Sequence, residues 1–451
     1  MLPHLPPLSA QFFVSVCIIL VVLNVMLAGT AYLILLERKV ASWAQDRIGP
    51  NRTGFGFGQK NLWDALGLRL MNKFRFLGLG QALADGLKLL FKEDYTPPHT
   101  DRFLFTLAPA LVMIPAIIGM AVVPWGGSWM FPGLDLFGCH LVDACEAGHP
   151  VIVSAAPLNV GVIYLLAVGS IGVYGVTIGA YASNNKFAFL GGLRATAQML
   201  AYEIPMGLCV LIMILYYKTP DAMGMVGGQL GGGLFAFDFT KTWGVVAHPL
   251  LAAIFFTCVL AECNRAPFDL AECEQELVGG FHTEYGSMKW AMYFLGEYMH
   301  MIVGSAFFIL LFLGGWEPLP FIKLIPDAEG GMGLVWVLVK LAVFAFKVAV
   351  LLFGMMWIRW TLPRFRFDQL MRLAWTNIIP LMLLALLANG ALVALAQQSS
   401  FAWAGAWWAH LASDAAVLAL GALCAPFMPK GPPTNRKVPL EGSRFSPPAA
   451  A

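Results

Sequence analysis

The chain has 451 residues, of which 59% are hydrophobic and only 12% are charged, and its formal net charge is +2. Soluble globular domains carry roughly twice that share of charged residues, so the composition excludes an ordinary soluble domain. Together with a mean hydropathy of +0.72, it predicts a polytopic membrane protein.

Long apolar runs recur along the chain at lengths suited to membrane spans, each of which needs roughly 20 apolar residues. The first run ends in Glu37-Arg38-Lys39 without a small-residue cleavage site, so we expect a retained helix and not a signal peptide. The expected fold class is an all-α bundle of eight or nine transmembrane spans. The eight stronger runs are 11–36, 103–124, 160–180, 199–217, 248–262, 290–313, 334–358 and 376–397, and a ninth, 402–427, is richer in Ala and Trp.

Basic residues fall in alternate segments between these runs, which predicts the orientation because Lys and Arg are retained on the cytoplasmic side. Of the 28 basic residues, 23 lie in the alternate set that we therefore place inside. The sequence predicts an outside N-terminus and a cytoplasmic C-terminus. The inside segments are 37–102, 181–198, 263–289, 359–375 and 428–451.

The chain is expected to form one transmembrane domain, 1–427, with a flexible cytoplasmic tail, 428–451. No internal repeat is detectable, which disfavours transporters built from inverted repeats. The cytoplasmic loop 37–102 is expected to hold two amphipathic helices at the membrane interface. In these helices Leu62, Leu66 and Leu70 share one face, and Leu83, Leu87, Leu90 and Phe91 share another, opposite Asp85, Lys88 and Lys92.

The cytoplasmic loop 262–289 collects carboxylates against the single guanidinium of Arg265. Pro267 suits a first helical turn, and the stretch from Asp269 to Glu272 matches a capping box, so we predict a short helix that begins there. Its acidic face would hold Asp269, Glu272 and Glu276, although a solvated helix face explains the same spacing. The six acids of this stretch are Glu262, Asp269, Glu272, Glu274, Glu276 and Glu284.

Ionisable side chains also occur inside the apolar runs, where they are costly and mark either a pathway or a paired site. Glu203 stands two residues before Pro205, and Glu297 is followed one turn later by His300. A cluster of such acids can store or relay protons, but each acid can also be one half of a structural ion pair. We expect Lys340 to extend to the outer membrane surface, and Lys347, which lies deeper, to pair with a carboxylate.

The sequence offers no motif for redox or hydrolytic chemistry, since it lacks a Walker motif, H-E-x-x-H, a nucleophile elbow and C-x-x-C. The spacing of Cys258, Cys263 and Cys273 fits no zinc or iron–sulfur site, so no metal is expected. Cys139 and Cys145 lie in the outside segment 125–159, where a disulfide between them stays an open question.

Six motifs in order resemble the family of the H-type subunit of bacterial NADH:quinone oxidoreductase, respiratory complex I, and its mitochondrial counterpart. The motifs are LLERKVASWAQDRIGPNRTG, ADGLKLLFKED, LGGLRATAQMLAYE, NRAPFDLAECEQELVGGFHTEY, FLGEY and TLPRFRFDQLMRLAW. The resemblance extends from about Leu33 to Leu384. It implies a subunit that joins the membrane arm to the peripheral arm of a proton-translocating enzyme in the bacterial plasma (inner) membrane.

By this resemblance the substrate is a quinone, ubiquinone or menaquinone, while FMN and iron–sulfur clusters belong to partner subunits. The partners would be peripheral-arm subunits, small and antiporter-like membrane subunits, and membrane lipid. Residues implied to line the quinone tunnel and its junction are Glu37, Arg38, Arg47, Asp85, Glu93, Arg265, Asp269, Arg364, Arg366 and Asp368. Residues implied to carry protons or charge are Asp85, Glu203, Glu262, Glu272, Glu274, Glu276 and Glu297.

The chain departs from the family pattern at three places. It has Leu-Ala-Glu where the motif commonly has Leu-Pro-Glu, the segment 125–159 is longer than expected, and the apolar run beyond residue 401 is additional. Two alternative functions are a homologous subunit of a proton-pumping membrane-bound hydrogenase and a free-standing cation or proton transporter. The ERK, GPN and PRFRFDQLM motifs favour the quinone enzyme. Whether the subunit conducts protons or only transmits a signal stays open at this point.

Overall fold

The computed structural model describes residues 9–51, 53, 78–136, 139–142, 144, 150–230, 239–271, 274–326 and 333–424. Helices dominate these ranges, where the strands form two short antiparallel pairs. Eight helices are long and apolar enough to cross a membrane. The prediction of an all-α polytopic bundle is therefore confirmed.

Fourteen α-helices and four strands follow in chain order through the described residues. The helices before residue 230 are α1 (Ala10–Trp43), α2 (Gly80–Phe91), α3 (Arg102–Gly119), α4 (Gly161–Ala182), α5 (Lys186–Tyr217) and α6 (Ala222–Gln229). The later ones are α7 (Gly244–Ala247), α8 (Pro249–Glu262), α9 (Glu274–Leu277), α10 (Ser287–Phe312), α11 (Gly333–Thr361), α12 (Phe367–Arg372), α13 (Ile379–Ala396) and α14 (Trp407–Cys424). The strands are β1 (Ser128–Trp129), β2 (Leu134–Leu136), β3 (Cys139–Val142) and β4 (Val151–Ile152), with β1 paired to β4 and β2 to β3.

The predicted spans match helices, although α1 continues beyond the expected residue 36 to Trp43 and α5 starts early. Helix α5 begins at Lys186, well before the expected 199, because Asn185 caps its first turn by accepting a hydrogen bond from the Phe187 N–H. The run 248–262 forms α8, whose 14 residues span only about 21 Å, less than the ~30 Å of a hydrocarbon core. The ninth run forms α14. The Leu62, Leu66 and Leu70 face, the pairing of Cys139 with Cys145, and the tail 428–451 lie outside the described side chains.

The helix predicted from Pro267 and Asp269 is wrong, since residues 267–271 are not helical and the next helix, α9, starts at Glu274. Contacts that are distant in sequence hold this stretch as a turn. The Gln198 side chain of α5 donates to the Phe268 carbonyl at 2.7 Å, and the Phe365 N–H donates to the Pro267 carbonyl at 3.1 Å. These carbonyls are therefore already satisfied outside any helix.

Helix α10 lies at the centre of the bundle and packs against α1, α3, α8 and α11. Close packing of α3 and α4 requires Gly175, because a Cβ there would lie 2.5 Å from Val112 Cγ2. We call the end of the bundle with Trp43, Arg102, Glu262 and Thr361 the basic end, and the other the opposite end. Most segments rich in Lys and Arg belong to the basic end.

Both expectations for the lysines of α11 are wrong. Lys340 is only 2% exposed and lies near the Trp316 ring, so it does not extend to the surface. The Lys347 ammonium donates to three main-chain carbonyls, those of Leu313 at 2.5 Å, Gly315 at 3.0 Å and Glu317, and not to a carboxylate. Three acceptors match the three donors of an ammonium, and a cation is favourable where α10 ends.

We predict that Lys347→Met destabilises the protein, because each buried carbonyl left without a donor costs about 1–3 kcal/mol. The measurement is the temperature at which the purified protein loses its helical circular-dichroism signal. Phe346→Leu, at the neighbouring and largely exposed residue, is the matched control and should leave that temperature unchanged. Equal melting of Lys347→Met and the native protein would contradict the assigned role.

Candidate functional site

The basic end contains a buried network of charges centred on Arg265, which we call the Arg265 hub. Arg265 NH1 donates to both Glu37 oxygens, at 2.9 and 2.8 Å, and Nε lies 2.5 Å from Glu297 Oε1. The Tyr298 hydroxyl and Arg359 NH1 also donate to Glu37. Two guanidinium groups and two carboxylates thus balance in charge, as a buried ionic group requires.

The hub joins elements that are distant in sequence. Glu37 comes from the end of α1, Glu297 and Tyr298 from α10, and Arg359 from the end of α11. Arg265 lies in the turn after α8, and its guanidinium also stacks 4.3 Å from the centre of the Tyr298 ring. Burial alone would lower the pKa of Arg265, but Glu297, Tyr298 and Glu37 raise that pKa well above its usual range. The guanidinium therefore stays charged.

Glu297 also faces a second feature, a small cavity of about 30 Å³ that we call the Glu262 cavity. Its polar lining includes Glu262, Glu297 and His300. Its volume is sufficient for one water molecule, which needs roughly 10–15 Å³ on this measure. Two glycines of α4 leave room for these groups, because a Cβ at Gly169 would lie 3.2 Å from Glu262 Oε1 and one at Gly172 would lie 3.1 Å from His300 Nε2.

The other predicted relay acids are not among the lining residues of this cavity or fall outside the described side chains. Half-buried Glu203 lines a groove of about 660 Å³ between α4, α5 and the π-helical turn Leu373–Ile378, next to Trp375. Glu276 is exposed and forms a surface ion pair of 2.6 Å with Arg194. Residue Glu272 and the side chain of Glu274 fall outside the described part of the chain.

A larger pocket of about 420 Å³, the interface pocket, opens at the basic end between α1, α2 and α10. Its charged lining residues include Arg38 and Asp85, which pair at 2.8 Å, and Lys88. Burial raises the pKa of the Tyr285 hydroxyl to about 12, so this phenol stays neutral at physiological pH. The complete lining is Ile34, Arg38, Asp85, Lys88, Leu89, Lys92, Tyr285, Gly286, Ser287, Trp290 and Phe294.

Aromatic rings on one face of α10 connect the interface pocket to the Arg265 hub. Trp290 and Phe294 line the pocket and stack at 5.0 Å, and Phe294 contacts the Tyr298 ring edge-on at 5.0 Å. Tyr298 in turn belongs to the hub. The spacing i, i+4, i+8 places the three rings on one stripe of the helix, so pocket, hub and cavity are contiguous.

The remaining predicted tunnel residues surround these features at the basic end. Asp269 is buried, and its Oδ2 lies 2.9 Å from Arg364 NH2. Exposed positions are occupied by Arg47, Glu93, Arg366 and Asp368. Within the described ranges no group of three or more His, Cys, Asp or Glu residues is arranged to hold a metal ion.

Sequence reasoning missed Tyr298, Arg359, Trp290 and Phe294. Tyr298 directly follows the predicted Glu297, and Arg359 directly follows the run 334–358, so both had a visible signal. Their partner, Glu37, is 261 and 322 residues away, respectively, along the chain. Nothing local identifies such a contact.

We predict that Arg265→Met lowers the free energy of unfolding by about 3–5 kcal/mol, because it leaves Glu37 and Glu297 buried with too little positive charge. Arg265→Lys should have a smaller effect because it keeps the positive charge, and a loss should remain because one ammonium cannot reproduce both contacts. The measurement is the amount and thermal stability of the protein in membranes. Arg194→Met removes the exposed pair with Glu276 and should cost less than about 1 kcal/mol. Equal losses for Arg265→Met and Arg194→Met would contradict the hub.

Comparison with known proteins identifies the family of this chain. The family model for NADH dehydrogenase matches residues 16–390. The H-type subunit of the NADH-quinone oxidoreductase of Flavobacterium johnsoniae is 39% identical over 385 residues, which cover 85% of this chain and 96% of that protein. The H-type subunit numbered 1 of Cytophaga hutchinsonii is 39% identical over 84% of this chain and 96% of its own length. The H-type subunit numbered 1 of Geobacter sulfurreducens is also 39% identical, over 84% of this chain and 94% of its own length. The chain therefore belongs to the NADH dehydrogenase family of membrane subunits, and it is similar over most of its length to the H-type subunits of NADH-quinone oxidoreductases.

Proposed function

We propose that this chain is the membrane subunit of a proton-translocating NADH:quinone oxidoreductase that admits quinone at the interface pocket and couples its reduction to proton movement. The names of its relatives support an NADH-quinone oxidoreductase. FMN and iron–sulfur clusters would be carried by partner subunits. The observation that carries the coupling proposal is Glu297, which pairs with Arg265 in the hub and also lines the Glu262 cavity.

The interface pocket suits a quinone because it combines apolar walls with a few polar groups. Trp290 and Phe294 offer ring surfaces, while Lys88 and Lys92 offer ammonium donors. A second groove of about 320 Å³ between α1 and α11 is lined almost wholly by apolar side chains such as Val25 and Val348. A quinone headgroup has carbonyl oxygens that need donors, so the interface pocket fits it better than this groove.

Quinone reduction takes up two electrons and two protons to give quinol, so it changes the local charge until those protons arrive. The aromatic stripe ends at Tyr298, which donates to Glu37 beside Arg265. A change of charge at the pocket would therefore alter how Arg265 divides its interaction between Glu37 and Glu297. Weaker binding of Glu297 would favour its uptake of a proton from the Glu262 cavity.

The assembly that this function requires fits the distribution of charge. We place the peripheral arm against the basic end, where Arg47, Arg366 and Asp368 are exposed. The antiporter-like subunits would lie toward the groove that Glu203 lines. In this arrangement the basic end faces the cytoplasm of a bacterium and the protein spans its plasma membrane, with the N-terminus outside and the C-terminus inside.

We predict that Glu262→Gln, assayed in membranes as the complete enzyme, lowers quinone turnover and proton pumping together by about tenfold or more, as expected for a lost proton-transfer group. NADH:ferricyanide activity, which bypasses the quinone, should be kept and reports assembly.

Glu284→Gln is the matched control for this experiment. Glu284 lies in the same acidic segment and accepts a hydrogen bond from Asn185 Nδ2 at 2.6 Å, which a glutamine oxygen can still accept. Its turnover and pumping should equal those of the native enzyme. Unchanged turnover and pumping in Glu262→Gln would contradict the role of the cavity.

We predict that Leu89→Trp, which fills part of the interface pocket, raises the KM for a long-chain quinone several-fold. The physical reason is steric, because Leu89 lines the pocket. Leu90→Trp changes the next residue, which is exposed and outside the lining, and should leave the KM unchanged. A KM that is the same in both variants would move the access path away from this pocket.

A further inference from the structure

The last described helix, α14, is attached to the bundle by a buried polar cluster at the opposite end. His248 Nδ1 lies 3.5 Å from both oxygens of Asp414, and His410 Nδ1 donates to Asn389 Oδ1 at 2.7 Å. The Tyr216 ring contacts both imidazoles edge-on, at 4.9 Å from His248 and 4.7 Å from His410. Both histidines, Asn389 and Asp414 are at most 1% exposed. We call these five residues the α14 cluster.

His248 stands where a membrane helix is interrupted. Helix α7 ends at Ala247, His248 has φ −133° and ψ 66°, and α8 starts at Pro249. Helix α8 is too short to cross a hydrocarbon core, and its first turn has no side-chain cap. Irregular backbone at membrane depth is tolerated only where protein or a water-filled space covers it. The interruption therefore needs a cover.

Helix α14 lies where such a cover is needed. It packs against α7 and α8 on the two sides of the break, and against α13. At its start, Trp407 Nε1 donates to the Phe239 carbonyl, a few residues before α7, at 2.8 Å. The match to the family model ends at residue 390, before α14 begins.

We propose that α14 shields the break between α7 and α8 from lipid, and that the contact between His248 and Asp414 is the positioning interaction that keeps it there. A carboxylate or imidazole that faced lipid alone would be costly, and each compensates the other, whichever holds the proton. Within a membrane such polar contacts select the helix face that packs, since apolar surfaces gain little by leaving lipid. This inference does not depend on the proposed function.

Two other roles for the α14 cluster have less support. Among the side chains described, it is not arranged as a metal site. A proton path from the Glu262 cavity would have to cross the part of α8 where Leu251, Phe255 and Cys258 are fully buried in the apolar core. The cluster is therefore separated from the acids of the basic end.

The test is hydrogen–deuterium exchange of the assembled, detergent-purified enzyme, followed by mass spectrometry of peptides that cover residues 244–255. Exchange reports local opening of backbone hydrogen bonds. We expect Asp414→Leu, which leaves His248 without its partner, to speed exchange in this segment by about tenfold or more. Asp414→Asn keeps an acceptor near His248 and should give a smaller increase. Ser413→Ala, on the same turn of α14, should match the native enzyme.

Three outcomes would overturn the proposal. Exchange of residues 244–255 in Asp414→Leu could equal that of the native enzyme, or Ser413→Ala could accelerate it as strongly. If Asp414→Leu does not assemble, Asp414→Asn decides, and native exchange rates in that variant would count equally against the shield.

Discussion

The buried guanidinium of Arg265 is the constraint on which the basic end of this protein depends. A charge that is 2% exposed must be compensated where it lies, because removing it from water costs several kcal/mol. Glu37 and Glu297 provide that compensation, and they bring the end of α1 against α10. Arg359, at the end of α11, pairs with Glu37 and supplies the second positive charge that the two carboxylates need. The interface pocket and the Glu262 cavity lie on the two sides of this hub. The charges of the hub can therefore interact with groups in both spaces.

Polar groups have different roles at the two ends of the bundle. At the basic end, carboxylates border spaces that a ligand or a water molecule can enter. Glu297 both lines the Glu262 cavity and pairs with Arg265 in the hub. At the opposite end, the Lys347 ammonium donates to three main-chain carbonyls, and His248 contacts Asp414. These contacts hold irregular backbone in place, where a membrane provides no water to hydrogen-bond it. An ionisable residue in a span therefore identifies a function only after its partners are known.

Sequence alone predicted what depends on local pattern. Apolar runs predicted the helices, the period of Leu83, Leu87 and Leu90 predicted α2, and a charge inside an apolar run predicted Glu297 as a special residue. Sequence reasoning failed where contacts between residues far apart along the chain determine the local structure. The Asp269 stretch has the local signals of a helix start, but its Phe268 carbonyl accepts from a glutamine of α5 and its Pro267 carbonyl from the Phe365 N–H. Lys347 lacked a visible partner because its acceptors are main-chain atoms, which no residue type reveals. Tyr298 and Arg359, two of the five hub residues, were missed for the same reason, since their partner Glu37 is 261 and 322 residues away along the chain.

The most direct measurement is photoaffinity labelling of the assembled enzyme with an azido derivative of a long-chain quinone, followed by mapping of the labelled peptides. If quinone passes the interface pocket beside the Arg265 hub, label will appear in the peptides that carry Leu89 and Trp290, and excess unlabelled quinone will suppress it. Label confined to Val25 and Val348, in the apolar groove between α1 and α11, would contradict the account. The aromatic stripe and the hub would then have no quinone to sense.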